Sequence, residues 1–344
     1  MKKYHPIKEL FLVRMRTFYR EPEAIFWTYG FPLILTVLLG IAFRNRQPEV
    51  IAVDFVDTPA AAGIVEGLKG AEGFDVEVHD AEACAERIRL GKTSIVVEIG
   101  EKLEYRFDPT RPESALARAK VDDAVQRVLG RQDVRVAQDV KVVEPGARYI
   151  DFLVPGLLGM NLMGGGLWGV GFVLTDMRVR KLLRRLVATP MRKRDFLLSL
   201  VGGRLVFTVP EMFFILGTGM VLFDVRVGGS WLAILVVSVI GAISFAGLGL
   251  LVASRAQKIE TISGLMNLVM LPMWLFSGIF FSSDKFPDAF QPFIQALPLT
   301  QLIDALRAVT LQAEPLVDQW WRMGILVLWG GISFLIALRI FRWT

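Results

Sequence analysis

The chain has 344 residues, 53% of them hydrophobic, and a mean hydropathy of +0.47. An ordinary soluble domain averages roughly 45–50% apolar residues with glycine counted, so a purely soluble protein is excluded. The net charge of +5 sits in short segments beside apolar runs, which encodes membrane orientation and argues against nucleic-acid binding. One cysteine, Cys84, and two histidines, His5 and His79, exclude an internal disulfide and a cysteine- or histidine-rich metal centre.

Residues 1–22 read as an amphipathic interfacial helix. Ile7, Leu10, Phe11, Met15 and Phe18 recur at helical spacing, with Lys8, Arg16 and Arg20 off that stripe. Residues 23–44 hold the first uncharged run long enough to cross a bilayer, Ala24–Phe43. Arg44-Asn45-Arg46 follows it where a cleavage site would need small residues, so a cleavable signal peptide is not expected.

Residues 45–148 alternate strand-like and helix-like stretches and read as an inserted α+β domain. Strands are expected at Val50–Asp54, Phe74–Val78, Ser94–Ile99 and Leu103–Phe107. Helices are expected at Ala60–Leu68, Ala81–Leu90 and Arg118–Leu129. Gly91-Lys92-Thr93-Ser94 superficially matches the end of a phosphate-binding loop, but Glu86 stands where the first glycine belongs and a helix precedes it. Gly91 reads as a helix C-cap, and no ATPase site is expected in the chain.

Residues 149–344 hold five further apolar runs: Phe152–Thr175, Leu205–Phe223, Val227–Ser254, Thr261–Ser283 and Trp320–Leu338. Trp320, Trp321 and Trp343 stand where aromatic belts form. The fold class is therefore an integral membrane all-α protein of six transmembrane helices carrying the inserted α+β domain. The cations of the N-terminal segment, of residues 176–204, of Arg255 and Lys258, and of Arg339 and Arg342 fall on one side. The positive-inside rule makes that side cytoplasmic, with both termini inside and residues 45–148 outside.

A basic segment at 177–196 follows the second run. Val179, Leu182, Leu183, Leu186 and Val187 form a stripe, Arg178, Lys181, Arg184 and Arg185 lie off it, and Thr189-Pro190 ends the helix. Arg192-Lys193-Arg194 follows. The segment reads either as a charged loop that fixes topology or as a lever meeting a soluble partner.

Glu211, after Pro210, reads as the one charge inside a run. It either lines a path or pairs with Arg204, and a purely structural contact between helices is the bland alternative. Asn161, Asn267 and Met270 are further candidates for lining a path. Met266, Met270 and Met273 share a helical face and read first as packing. Gly165 and Gly169 have the spacing of close helix contact, with a substrate groove as the alternative. Pro287, Pro292 and Pro298 break residues 284–312 into short helices, on which Asp304 and Arg307 share a face. These residues form either a loop flat on the membrane or a pair of helices dipping into its outer leaflet.

Three stretches carry a family resemblance. Leu182-Leu183-Arg184-Arg185-Leu186-Val187-Ala188-Thr189-Pro190-Met191 resembles the coupling segment of ABC-2 type transporter permeases. Leu271-Pro272-Met273-Trp274-Leu275-Phe276-Ser277-Gly278-Ile279-Phe280-Phe281 resembles their fifth span. Leu297-Pro298-Leu299-Thr300-Gln301-Leu302-Ile303-Asp304-Ala305-Leu306-Arg307 resembles their outer-side segment. One departure is that Met177 and Val179 replace the acidic residues that many members carry before the coupling segment, leaving Asp176.

The resemblance implies a bacterial inner-membrane, multi-pass permease subunit of an ATP-binding cassette exporter, not itself an enzyme. ATP and Mg would sit on two copies of a cytoplasmic ABC ATPase, with no cofactor in this chain. A second permease copy, identical or different, would complete the path for an amphipathic drug, lipid or glycolipid. Arg178, Lys181, Leu183, Arg184, Arg185, Leu186, Arg192 and Arg194 would couple to the ATPase, and Pro298, Thr300, Asp304 and Arg307 would belong to re-entrant outer helices. Two other classes stay open: a proton-coupled secondary transporter using Glu211, and a membrane-anchored sensor or scaffold.

Overall fold

A computed structural model describes residues 6–44, 50–71, 73–100, 102–132, 148–187 and 192–341. The chain divides into two compact units, Met1–Arg44 with Val143–Thr344, and Asn45–Val142.

Among the described residues, six helices are long and apolar enough to cross a membrane, all in the first unit: Pro22–Ala42, Tyr149–Val179, Lys193–Phe223, Trp231–Ala253, Ile259–Phe276 and Leu316–Ile340. They are called the first to sixth spans below. The amphipathic helix Pro6–Arg20 precedes them; Phe18 on its stripe is buried, while Leu12, Val13 and Tyr19 off it are exposed. Trp320 and Trp321 are exposed on the sixth span, and Trp343 lies outside the described residues.

Two boundaries differ from the sequence expectation. The third span is one helix from Lys193, not from Leu205, because Leu197, Leu200 and Val201 continue its buried face through the basic stretch. The fifth span ends at Phe276, not Ser283, because Gly278 takes φ +77°, a left-handed conformation that stops a helix. The segment 177–196 is likewise not one helix. The second span runs on to Val179, Lys181 adopts φ +59°, and a six-residue helix, Leu182–Val187, follows. The stop expected at Thr189-Pro190 lies outside the described residues.

Glycines let the spans approach closely, though not the two expected. A Cβ on Gly166 would sit 2.5 Å from Phe245 Cβ, and one on Gly171 would sit 2.6 Å from Gly249 O, so these residues seat the second span on the fourth. Gly247 meets Gly330 O at 2.7 Å in the same way, seating the fourth span on the sixth. Gly165 and Gly169 turn elsewhere, as described below.

Contacts sort the span ends into two groups. At one end Arg178 reaches the backbone after the fourth span, and Lys193 Nζ donates to Phe341 O at the end of the sixth. At the other, Arg148 donates to Asp224 O, Gly228 N–H to Thr310 O, and Tyr149 to Phe280 O. The basic segment therefore shares an end with the start of the third span and the finish of the fourth and sixth.

The second unit is built on four strands, β1 Ile51–Val56, β2 Phe74–His79, β3 Ile95–Ile99 and β4 Leu103–Arg106, in the order β2-β1-β3-β4. β1 is parallel to β2 and β3, and β4 is antiparallel to β3. Parallel neighbours need helical crossovers, which Ala61–Lys69 and Ala81–Arg89 supply. Ile64, Val65 and Leu68 of the first join Val121 and Val125 of the helix Pro112–Val128 over Val53, Phe55 and Val97. Cys84 and Ile88 cover the opposite face at Val56 and Val96. With helices on both faces of a largely parallel sheet, the unit is layered as α/β and not as the expected α+β.

Gly91 has φ +69°, Gly91 N–H donates to Ile88 O at 3.1 Å and Lys92 N–H to Arg87 O at 2.9 Å. This is a glycine-terminated helix end with both crossed bonds, as the sequence implied, and the strand follows it instead of preceding it.

Candidate functional site: a basic end and a buried ion pair

At the basic end, the residues expected to couple divide into two kinds. Arg178 is spent inside the unit. Its guanidinium donates to Ala253 O at 2.9 Å, Ser254 O at 3.0 Å and Ala256 O. The last carbonyls of a helix lack intrahelical partners, and here one arginine of the second span caps the fourth. Leu183 is also internal, buried in the unit's own core, so it seats the helix Leu182–Val187 on the spans. The side chain of Leu186 lies outside the described residues.

The outward-facing group is Lys181, Arg184, Arg185, Arg192 and Arg194, all exposed. Asp176 is paired with Arg180 at 2.9 Å, so the one acid retained before the segment is answered within the chain. Lys181 with a positive φ turns the short helix away from the axis of the second span. These exposed cations flank the short helix, whose Leu183 is seated in the core of the unit.

Deeper in the same unit, Arg204 Nη2 lies 2.6 Å from Glu211 Oε2, with 4% and 0% of the two side chains exposed. The sequence had placed Arg204 outside the third span; with that helix starting at Lys193, Arg204 lies well inside it, and Glu211 is not the one charge buried there. Seven residues are nearly two full turns, so the two stand on one face about 10.5 Å apart along the axis, and the long arginine closes the distance.

The room for the guanidinium comes from the second span. A Cβ on Gly165 would lie 2.1 Å from Arg204 Cζ. Gly169 lines the same slot at 4.0 Å from Arg204 Cδ. The first span contributes Tyr29, whose hydroxyl donates to Phe207 O at 3.4 Å, between the paired residues in sequence. Phe207 in turn lies 3.9 Å, ring to ring, from Phe18 of the amphipathic helix.

Helix irregularities gather around this pair. Phe26–Gly30 and Leu167–Phe172 are π-helical turns, and Pro210 interrupts the third span next to Glu211. Such turns inside α-helices are frequent at functional sites, and a proline removes one ladder bond. A buried ion pair is a poor source of stability, since desolvating two charges offsets their attraction. Its position among softened helices fits a part that rearranges.

The other path candidates do not converge on it equally. Asn161 Nδ2 donates to Thr28 O at 3.3 Å, beside Tyr29, and so borders the same junction. Met270 is buried with Met266 and Met273 and accepts from Trp168 Nε1 at 3.2 Å, a packing contact between the second and fifth spans. Asn267, next to Met266 on the fifth span, is exposed and lies off that buried face. Of the alternatives the sequence left open for Glu211, the pairing with Arg204 is the one that forms; the part of Gly165 in making room for the guanidinium was missed, because nothing local marks which side chain a glycine faces.

At the other end, the helix Pro298–Thr310 is almost wholly buried, including Pro298 and Thr300. Asp304 and Arg307 are half-buried on it. A loop lying flat on a membrane would expose one side, so burial on nearly all sides favours insertion among the spans.

The sequence pattern of the ABC-2 type transporter family matches residues 118–311, more than half of the chain. The chain belongs to the ABC-2 type transporter family. Over 203 residues, 57% of this chain and 76% of the relative, it is 26% identical to Nodulation protein J of Rhizobium leguminosarum bv. viciae. Over 209 residues, 58% of this chain and 75% of the relative, it is 25% identical to the Inner membrane transport permease YadH of Escherichia coli (strain K12). A stretch of 116 residues, 33% of this chain and 44% of the relative, is 31% identical to Nodulation protein J of Rhizobium leguminosarum bv. trifolii. As a member of this family the chain is a multi-pass membrane transport subunit, and ABC-2 permeases work with cytoplasmic ATPase subunits.

Proposed function

We propose that this chain is the permease half of an ATP-driven exporter in a bacterial inner membrane. It moves an amphipathic drug, lipid or glycolipid outward, powered by two copies of a separate ATPase and working with a second permease copy. Both termini and the basic end face the cytoplasm, and the α/β unit faces outward. The cation distribution supports this orientation, since the cationic ends of four spans lie together.

The observation that carries the reading is the exposed cationic group Arg184, Arg185, Arg192 and Arg194 beside an internally seated helix. Of the nearby acids, Asp176 is paired with Arg180, and Asp195 lies 3.5 Å from Arg194. An ATPase docked there moves the short helix, and the short helix moves the second and third spans that bracket it. Between those spans sits the Arg204–Glu211 pair. A proton-coupled cycle would need Glu211 free, and Arg204 holds it.

The test is co-purification with the ATPase encoded beside this gene, followed by ATP hydrolysis in lipid nanodiscs. The Arg184→Glu, Arg185→Glu double variant should lose the ATPase by at least tenfold while remaining folded in the membrane, since both side chains are exposed. Retention of the ATPase at wild-type affinity would refute this docking surface.

A further inference from the structure

The stretch that follows the fifth span is not helical, yet it starts inside the protein. Ser277, Gly278 and Ile279 are buried. Backbone without helical bonds is tolerated near a span only where other groups satisfy its carbonyls. Two side chains do so. Arg307 Nη2 donates to Gly278 O at 2.6 Å, and the Tyr149 hydroxyl donates to Phe280 O at 2.6 Å.

Arg307 holds the second span at the same time. Its Nε and Nη2 each lie 3.2 Å from Phe152 O, and its guanidinium lies 3.5 Å from the centre of the Phe152 ring. Gly156 completes the junction by having no side chain: a Cβ there would meet Ile279 O at 2.8 Å and Arg307 Nη2 at 3.2 Å. One arginine from the helix Pro298–Thr310 thus ties the outer end of the second span to the outer end of the fifth.

We propose that Arg307 is a strut that keeps the outer mouth of the transport path closed, and that its release lets the end of the fifth span leave the second. The inference rests on the transport reading above. Each bond Arg307 makes is to a lone carbonyl, and water can replace a carbonyl or a guanidinium with little loss. Opening into a wet mouth therefore exchanges hydrogen bonds instead of destroying them. Asp304, three residues earlier on the same helical face, offers the freed guanidinium an acidic partner. The dry seat of Ile279 on Gly156 favours reclosure. Arg307 is a positioning residue here, since it acts through the backbone of the fifth span.

The test uses the full chain in lipid nanodiscs with its ATPase, with Cys84→Ser to remove the native thiol and Ile279→Cys as the reporter. The readout is the rate of labelling by a charged, membrane-impermeant maleimide. Labelling should be slow with Arg307 in place and at least tenfold faster with Arg307→Gln, and Arg307→Lys should lie between. Trapping the ATPase with ATP and vanadate should speed labelling of the protein that retains Arg307.

Equal rates for Arg307 and Arg307→Gln would overturn the strut, and an unchanged rate on trapping would overturn the opening. If the glutamine variant fails to reach the membrane, Arg307→Lys takes its place: faster labelling than the protein that retains Arg307 supports the strut, and an equal rate overturns it. If the ATPase does not associate, the transport reading fails and the opening role with it, while the comparison without nucleotide still decides the strut.

Discussion

Arg204 and Glu211 stand seven residues apart on the third span and meet at 2.6 Å in the interior of the membrane unit, in a slot opened by Gly165. The relationship constrains both residues, because each is the neutralising partner that makes burial of the other tolerable.

Removing one charge should therefore cost more than removing both. Glu211→Gln alone leaves a buried guanidinium uncompensated and should destabilise the protein by about 3–5 kcal/mol. The Arg204→Met, Glu211→Leu pair should recover most of that loss. Thermal unfolding of the wild type, Arg204→Met, Glu211→Leu and their combination in one detergent forms a double-mutant cycle, and additive losses would show that the pair is not coupled.

Gly165 and Gly164 are adjacent glycines with opposite expectations. A methyl group at Gly165 would displace Arg204 from Glu211, and the arginine has nowhere else to go while buried. Gly165→Ala should lower stability by about 1–3 kcal/mol, the usual cost of overpacking. A Cβ at Gly164 meets nothing within 4 Å, so Gly164→Ala should be neutral in the same melting assay.

Arg178 serves the fold before it serves any partner. Arg178→Ala strips three carbonyls at the end of the fourth span of their donor. The expected loss is about 1.5–3 kcal/mol, in the range of hydrogen bonds to a charged group. Hydrogen exchange should rise first around Ala253–Ala256, whereas an unaltered pattern there would argue against a capping role.

The α/β unit should weaken in acid through Glu77. His79 and Arg87 hold its carboxyl below the ordinary 4.5. A lowered folded value means the contribution is present above pH 4.5 and is lost as pH falls through the lower folded value. Limited proteolysis of the intact protein should show this unit becoming susceptible in that window. The Glu77→Gln variant should show less change across it, and an identical acid profile would remove Glu77 as the cause.

The six apolar runs and the segments that carry the cations were legible in the sequence, and each run lies on one of the six long apolar helices, though the third helix begins twelve residues earlier and the fifth ends seven residues sooner than the runs implied. Hydropathy and charge are properties of windows of about 20 residues, so neither needs the fold to be read. The same locality made the Gly91 helix end legible, since a helix C-terminus is decided within a few residues.

Which polar groups meet across long stretches of chain could not be read from the sequence. Arg307 answers to Phe152 and Gly278, 155 and 29 residues away, and it contacts their carbonyls, which every residue type carries alike. Arg178 caps the fourth span through carbonyls 75 to 78 residues distant, so a residue that looked like part of a docking surface is an internal one. Gly165 and Gly166 read identically in sequence. One makes room for Arg204 and the other seats the fourth span, because adjacent residues on a helix point about 100° apart and only the neighbours say what each one faces.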